Sequence, residues 1–371
     1  HVTLLDGDKL EPVHRFKSRF ALHGGPKYSP DGRFVYFASR DGWISKYDIY
    51  NLKLVAEIRA GINTRNQAVS ADGRYVMIAN YLPHTLVLLD ARDLSPIKLY
   101  DVKDAQGKTS RVSAVYTAPP RDSFIAALKD IPELWEISYN PTPGFGMWIH
   151  DYREDSGEDS SPDPFPVRKI TVADYLDDFF FDQEYVSLVG TSREGKGQVV
   201  DMDLGRVVVP DLELPGMPHL ASGITWEYKG RTVMATPNIK AGNVSVIDME
   251  TWKTIKNIET LGSGFFMRSH KDSPYAWVDV FFGPNKDAVH VIDKKTLEIV
   301  KTLRPAPGKN AAHVEFTRDG KYALLSIWDP DGAVVVYDGD TLEEIKRLPM
   351  NKPSGKYNVY NKTRYLEGTS H

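Results

Sequence analysis

The stretch FALHGGPKYSPDGRFVYFASRDGWISKYDIYNLKLV, residues 20–55, decides the fold. From Tyr28 onward it reads as an Asp-Gly turn, an apolar strand, a polar loop and a second strand that ends in Asp48. Its β-branched and aromatic residues favour strands, and its Gly, Asp and Asn clusters favour tight turns. His23 and two glycines precede this unit, and nothing in the strand pattern requires them.

The same unit recurs along the chain at a spacing of roughly 42–47 residues, which is typical of four-stranded propeller blades. The aspartates that end the recurring strand are Asp6, Asp48, Asp90, Asp248, Asp293 and Asp338. Two weaker copies, ELWEISY and GQVVDMDLGRVVV, complete eight units. The pattern predicts an all-β fold, a single eight-bladed β-propeller of four-stranded blades over residues 1–371.

Both ends of the chain hold incomplete copies of the unit. The N-terminal HVTLLDGDKLEPVHRF supplies outer strands, and the C-terminal SGKYNVYNKTRY supplies one further strand. We expect N- and C-terminal strands to share one blade, because this closes the ring and leaves no open sheet edge. Residues 140–166, rich in Pro, Gly and acidic residues, are predicted to be an insertion loop on a ring face.

The composition excludes several classes of function. The net charge of −4 gives no basic field for nucleic acid, and no apolar run reaches the roughly 18 residues that span a bilayer. The absence of cysteine excludes disulfides, Cys-ligated zinc and covalent c-type heme. Because the chain begins at His1 rather than Met, we expect that an N-terminal segment has been removed and that the protein is exported.

Basic and imidazole side chains recur at one position of the repeat, on loops that should converge at one end of the channel. We expect His23 on such a loop, just upstream of the inner strand RFVYFAS, with Arg65, Arg111, His219 and His313 at corresponding places on later blades. Singly, a loop histidine is usually solvated and a loop arginine usually pairs with a surface acid. Together they suit a ligand with iron and carboxylates, since imidazole binds iron and guanidinium pairs with carboxylates.

With these residues in hand, the chain resembles the eight-bladed heme d1 domain of cytochrome cd1 nitrite reductase. The resemblance covers nearly the whole chain and is carried by FALHGGPKYSPDGRFVYFASRDGWISKYDI, RVSAV, SFIAALK, MPH, SHKDSPYAWVD and PSGKYNVYN. Within the family the sequence looks most similar to the NirF group, stand-alone periplasmic proteins needed for a late step of heme d1 biosynthesis.

The resemblance implies a set of ligand-binding residues. It makes His23 the proximal ligand of heme d1 iron and places Arg65 and Arg111 on the carboxylate groups of the heme. Lys129 and Tyr81 match further pocket positions of the family.

The distal side departs from the reductase pattern. His219 falls on one of two distal histidines, whereas Asp177, in YLDDFF, replaces the other. A carboxylate there would repel nitrite, and no Cys-x-x-Cys-His motif is present to attach a c-type heme that would supply electrons. Nitrite reduction is therefore not expected. His219 and Asp177 are instead candidate catalytic residues, a base and an acid, for removing hydrogen from a propionate side chain.

Three hypotheses stay open from the sequence. In the first, the protein binds heme d1 or dihydro-heme d1 and catalyses a late maturation step. In the second, it is a non-catalytic carrier that delivers heme d1 to cytochrome cd1 nitrite reductase or to other maturation proteins. In the third, it is a propeller scaffold without heme. The expected location is the periplasm, with a lipid anchor on the removed segment left open.

Overall fold

The computed structural model describes residues 1–140, 163–194 and 196–363. Within these ranges the chain forms thirty β-strands in eight sheets, together with one α-helix of four residues and two 3₁₀ turns. The predicted all-β, eight-bladed propeller is confirmed. None of the helical segments in the described ranges has the length and apolar character needed to cross a membrane.

The strands follow one another in simple order, each pairing antiparallel with the next within its sheet. In chain order they are β1 (Val2–Asp6), β2 (Glu11–Phe16), β3 (Leu22–Tyr28), β4 (Phe34–Ser39), β5 (Trp43–Asp48), β6 (Lys53–Arg59), β7 (Asn63–Val69), β8 (Tyr75–Leu82), β9 (Thr85–Asp90), β10 (Pro96–Asp101), β11 (Val112–Ala118), β12 (Ser123–Leu128), β13 (Glu133–Ser138), β14 (Val167–Thr171), β15 (Asp178–Phe181), β16 (Ser187–Thr191), β17 (Gly197–Asp201), β18 (Arg206–Leu212), β19 (Ile224–Tyr228), β20 (Arg231–Pro237), β21 (Asn243–Asp248), β22 (Thr254–Glu259), β23 (Met267–Ser269), β24 (Tyr275–Asp279), β25 (Val289–Asp293), β26 (Glu298–Leu303), β27 (Ala311–Phe316), β28 (Tyr322–Ile327), β29 (Ala333–Asp338) and β30 (Glu344–Pro349). Over the described residues β1 and β2 form a two-stranded sheet, and each later group of four forms a four-stranded sheet.

The recurrent aspartate closes the turn between the third and fourth strands of a sheet. The Asp48 carboxylate accepts hydrogen bonds from the backbone N–H groups of Tyr50 and Asn51, at 2.9 and 3.1 Å. Leu52 then takes a left-handed φ of 53°, which completes the turn. The same turn follows Asp6, Asp248, Asp293 and Asp338. The spacing of aspartates in the sequence is therefore a spacing of side-chain-closed turns.

The first strand of each four-stranded sheet is innermost and the fourth is outermost. β12, a second strand, is buried at every residue, whereas the fourth strand β30 is largely exposed. RFVYFAS is thus the second strand β4, and the expectation that it is innermost was wrong. Its apolar character reflects burial on both faces. The innermost strand is the more polar β3, because one of its faces meets the axis, and His23 lies within it rather than on a loop.

The ring closes between the β27–β30 sheet and the β3–β6 sheet, where the N-terminal hairpin and the described part of the C-terminal segment lie. The β1–β2 hairpin packs on the β3–β6 sheet through Phe16, whose ring stacks on Tyr47 with centroids 3.9 Å apart. The C-terminal GKYNVYN does not pair as a strand over the described residues. It runs between β27 and β3 and ends in a short helix, α1 (Val359–Lys362), held by side-chain bonds such as Asn358 Nδ2 to the Phe316 carbonyl, 3.2 Å.

The predicted insertion at 140–166 falls mostly outside the described residues. Its two ends leave β13 and enter β14, so it joins the third and fourth strands of one sheet. These connections lie at the end of the ring opposite to the start of the innermost strands. Near its return the Tyr100 hydroxyl donates to the Phe165 carbonyl at 3.1 Å.

Candidate functional site

Four innermost strands bulge near their first residues, all at one end of the ring. The extra residue is Arg65 in β7, Ser113 in β11 and His313 in β27, and in β3 the irregularity runs from His23 to Lys27. A bulge interrupts the hydrogen bonds between two strands and changes the direction of a side chain. The pattern therefore turns polar side chains of different sheets toward the same axial space.

Gly24 and Gly25 make the β3 bulge possible. Their φ angles are +78° and +69°, a region that side-chain-bearing residues avoid. A Cβ at Gly24 would lie 2.5 Å from the Cβ of Asn66 on β7, and one at Gly25 would lie 3.1 Å from the ring of Tyr357. The two glycines therefore let β3 approach both its neighbours while His23 turns inward.

His23 and Arg65 form the centre of the site. The His23 Nδ1 lies 2.6 Å from the Arg65 carbonyl oxygen, and because a carbonyl only accepts, Nδ1 carries the proton. Nε2 then keeps its lone pair and accepts from Arg65 Nη1 at 2.7 Å. Burial, followed by the Arg65 charge, lowers the pKa of His23 to about 4. The imidazole is therefore neutral, as a metal ligand must be.

Arg111 and Tyr81 line the site beside Arg65. Arg111 precedes β11 and donates through Nε and Nη2 to the Asp130 carboxylate at 2.9 and 2.5 Å. Its guanidinium carbon lies 5.6 Å from the centre of the Tyr81 ring. The paired guanidinium holds the pKa of Asp130 at about 2. Since 40% of the Arg111 side chain stays exposed, it can still meet a carboxylate of a ligand.

Lys129 and Asp177 contact each other, which was not foreseen. The Lys129 ammonium donates to one Asp177 oxygen, and Arg193 Nε donates to the other at 2.8 Å. Both members of the Lys129–Asp177 pair are under a tenth exposed. Burial, followed by neighbouring guanidinium groups, lowers the pKa of Lys129 to about 8. Asp177 is thus a bridge between two cations and not an isolated acid.

His219 has the same tautomer as His23. It precedes a 3₁₀ turn, and its Nδ1 lies 2.6 Å from the Phe265 carbonyl oxygen, so Nδ1 carries the proton and Nε2 the lone pair. Burial lowers the pKa of His219, and the negative charge of Asp178 opposes this only in part. Asp178 also accepts from Ala221 N–H at 3.2 Å. Asp178, the residue after Asp177, is therefore a carboxylate whose charge reaches His219.

An aromatic cluster forms the other side of the site. Phe265 stacks on His219 with ring centroids 3.9 Å apart, and Phe266 lies 4.8 Å from His313. The cluster continues through Phe281, Phe282 and Trp328. One half of the site is thus basic and the other aromatic, which suits a flat ring that carries carboxylates.

The structure places all seven predicted site residues at one end of the ring. Direct contacts join His23 to Arg65, Arg111 to Tyr81 and Lys129 to Asp177. The positive charge of Arg65 lowers the pKa of both Lys129 and His219, so these groups share one electrostatic environment. Sequence reasoning missed the residues that act on them, Asp130, Arg193 and Asp178. It also missed the aromatic half of the site, although the paired phenylalanines in GFFM and VFFG could have indicated it.

Comparison with known proteins is decisive for the family. Residues 1–362 match the family described as the cytochrome D1 heme domain. The chain belongs to this family. Dihydro-heme d1 dehydrogenase of Pseudomonas aeruginosa is 60% identical over 372 residues, which cover 100% of this chain and 71% of that protein. The solved structure of dihydro-heme d1 dehydrogenase NirN in complex with DHE superposes with a TM-score of 0.90 at 60% identity, covering 98% of this chain and 73% of that one.

Two NirF proteins are more distant relatives. NirF of Pseudomonas aeruginosa is 29% identical over 361 residues, covering 95% of this chain and 87% of that protein. NirF of Stutzerimonas stutzeri is 28% identical over 338 residues, covering 90% and 82%. The predicted family is confirmed, and so is its d1-type tetrapyrrole ligand class, whereas the particular resemblance to NirF is not.

The residues present fit such a ligand. His23 offers a neutral imidazole nitrogen, the donor that heme iron takes from histidine. The cations on one side and the aromatic rings on the other match the carboxylates and the flat face of a tetrapyrrole. Because Arg65 donates to His23 Nε2, iron ligation by His23 requires that this hydrogen bond be given up.

Proposed function

We propose that this chain binds heme d1 or dihydro-heme d1 at the end of the ring where the innermost strands bulge, and that it acts in heme d1 biosynthesis. The observation that carries the proposal is the neutral His23 beside Arg65, in a chain 60% identical over its full length to a dihydro-heme d1 dehydrogenase.

The chain's own residues divide the task of holding the ligand. His23 would bind the iron through Nε2, and the Arg65 guanidinium released from it would meet a carboxylate. Arg111 and Lys129 would supply further positive charge, and the Tyr81 ring would border the basic half of the site beside Arg111. A guanidinium–carboxylate contact contributes about 1.5–3 kcal/mol, because both groups are charged.

The reaction we propose is the removal of two hydrogens from adjacent carbons of a propionate side chain. Two C–H bonds break and one C=C bond forms, which releases two protons and two electrons. His219 Nε2, with its lone pair and an Nδ1–H fixed on Phe265, is placed to accept one proton. The second proton goes to water, and the two electrons go singly to two molecules of a one-electron carrier protein.

Asp177 takes a supporting part in this proposal. Its two oxygens are engaged by Lys129 and Arg193, so it balances their charge and orients them instead of giving or taking a proton.

The contacts of Asp177 with Lys129 and Arg193 favour the second candidate, a non-catalytic carrier. With Asp177 engaged, the predicted acid–base pair of His219 and Asp177 is incomplete, and binding without conversion needs no such pair. Under this alternative the protein would hand heme d1 to cytochrome cd1 nitrite reductase or to another maturation protein.

Two measurements separate the candidates from each other and from a scaffold. Purified protein is titrated with dihydro-heme d1 and with heme d1, and the absorption spectrum is followed; a scaffold leaves both spectra unchanged. The dihydro complex is then incubated with a one-electron oxidant, and the pigment is extracted. Conversion that is lost in His219→Gln, with binding retained, supports the enzyme. The matched control is His14→Gln, which changes a histidine on the N-terminal hairpin.

Complementation in cells gives the deciding result. A His219→Gln, Asp177→Asn double variant that still supports heme d1 production would exclude catalysis by this pair and leave the carrier. We further propose that the protein works in the periplasm, which fractionation of the producing cells would test.

A further inference from the structure

Asp279 is a buried carboxylate whose hydrogen bonds go to the backbone of the aromatic half of the site. It ends β24, and only 1% of it is exposed. Its Oδ1 accepts from the backbone N–H groups of Phe265 and Phe266 at 2.8 and 3.1 Å, and its Oδ2 accepts from His313 N–H at 3.3 Å. One side chain thus holds backbone segments from two neighbouring sheets.

The second of these bonds leads directly to His219. The peptide group between Phe265 and Phe266 donates its N–H to Asp279 and accepts, at its carbonyl oxygen, the hydrogen bond from His219 Nδ1 at 2.6 Å. A hydrogen bond at one end of a peptide group polarises it and strengthens the bond at the other end. A carboxylate at the N–H therefore makes the carbonyl a better acceptor for His219.

We propose that Asp279 is a positioning residue which, through the Phe265–Phe266 peptide group, holds His219 as the Nδ1–H tautomer and leaves its Nε2 lone pair toward the ligand site. The arrangement is a carboxylate–histidine pair with one peptide group inserted between the two side chains. It differs from a direct pair because Asp279 does not share the proton of His219.

The geometry explains two further features of the site. The Phe265 ring stacks on His219, so a fixed Phe265 backbone also fixes the ring that covers the imidazole. His313, whose N–H the same carboxylate accepts, has a φ of 59°, a strained value that needs external support. Burial raises the pKa of Asp279 to about 7, while the three N–H donors and Lys356 oppose this shift. Experiments at pH 8 therefore examine the protein with Asp279 ionised.

The inference rests on the proposed function only for the use made of His219, and its test needs no ligand. Protein labelled with ¹⁵N-histidine is studied at pH 8 by two-dimensional NMR that correlates ring protons with ring nitrogens, which distinguishes the two neutral tautomers. His219→Gln assigns the signal among the 10 histidines. We expect wild-type His219 to show a single tautomer, protonated on Nδ1.

Asp279→Ala and Asp279→Asn are the informative variants. Asparagine keeps the size but loses the charge, and its NH₂ group opposes the His313 N–H. We expect both variants to shift the His219 nitrogen signals toward averaged values of the two tautomers. If Asp279→Ala does not fold, Asp279→Asn decides. The control is Asp182→Ala, which removes a half-buried carboxylate that accepts two backbone N–H groups, from Val186 and Ser187, away from the histidines.

A His219 spectrum that is unchanged in the folded Asp279 variants would overturn the inference, and so would an equal change in the Asp182 control. Because the experiment is done on ligand-free protein, a failed tetrapyrrole titration would count against the proposed function and leave this result untouched.

Discussion

Replacement of Gly24 by alanine tests whether the bulge of β3 builds the site. The φ of +78° costs an L-residue about 1–2 kcal/mol, as for any side chain in the left-handed region. The added Cβ would also lie 2.5 Å from the Cβ of Asn66, a contact that forces β3 and β7 apart. Overpacking of this kind costs about 1–3 kcal/mol. We therefore expect Gly24→Ala to lower the free energy of unfolding by about 2–5 kcal/mol.

Gly230→Ala separates the two contributions. Gly230 has a φ of +76°, and a Cβ added to it would have no other atom within 4 Å. It lies in the β19–β20 turn, at the opposite end of the ring. Its alanine variant should lose only the backbone contribution, about 1–2 kcal/mol. Replacing glycine by alanine also lowers the conformational entropy of the unfolded chain, but this effect is equal in both variants and cancels in the comparison.

The assays are urea unfolding, thermal unfolding and tetrapyrrole titration on the same preparations. With about 2.1 cal/mol/K of unfolding entropy per residue over 371 residues, a difference of 1–3 kcal/mol corresponds to roughly 1–4 °C in Tm. Gly24→Ala should also weaken binding of dihydro-heme d1, because His23 is the adjacent residue, whereas Gly230→Ala should not. Equal losses of stability in the two variants, with equal ligand affinity, would refute the role given to the bulge.

Further predictions concern iron ligation, carboxylate binding, pH and closure. His23→Ala should keep the fold but alter the iron spectrum of the bound tetrapyrrole, and an unaltered spectrum would contradict proximal ligation. Arg65→Met should weaken tetrapyrrole binding roughly ten- to hundred-fold in a spectral titration, and wild-type affinity would contradict its contact with a carboxylate. Burial lowers the pKa of His290 to about 4, so between pH 6.5 and 4 the unfolded chain binds more protons than the folded chain, and the free energy of unfolding falls as the pH falls. His290→Asn should therefore reduce the loss of unfolding free energy between pH 7 and 5 by about 2 kcal/mol, as urea unfolding at both values would show. Deletion from Lys356 onward should lower the melting temperature sharply, since this segment fills the gap between β27 and β3; an unchanged value would show that it does not close the ring.

The ring could be predicted because its signal is local and repeated. Each aspartate that closes a turn, such as Asp48 or Asp248, binds the N–H groups of the residues that directly follow it. The order of strands within a sheet was harder to predict, since RFVYFAS is strongly apolar and for that reason suggests the innermost position. Burial on both faces marks a middle strand, whereas the innermost strand borders a polar axis. The hydrophobic pattern alone reports burial and not distance from the axis.

The site could be predicted only in part, for a related reason. His23, Arg65 and His219 stood at equivalent places in the repeat, so the ring geometry alone was enough to bring them to one end. The partners of Arg111 and Asp177 could not be foreseen, because Asp130 and Arg193 lie in the loops that follow the neighbouring strands β12 and β16. Such contacts depend on loop conformations that strand periodicity does not contain.

The positions where the chain departs from the propeller pattern are those that build the site. A regular ladder would leave His313 extended, yet it lies at a φ of 59°, and a regular β3 would have no use for two adjacent glycines. Each departure costs local free energy, and the surrounding sheets, with cores such as Trp277 and Phe316, are rigid enough to hold it. Buried histidines kept neutral and cations held near one another are likewise unfavourable for the protein on its own. They become favourable when a ligand brings iron to one imidazole and carboxylates to the cations, so we expect tetrapyrrole binding to raise the stability of the ring.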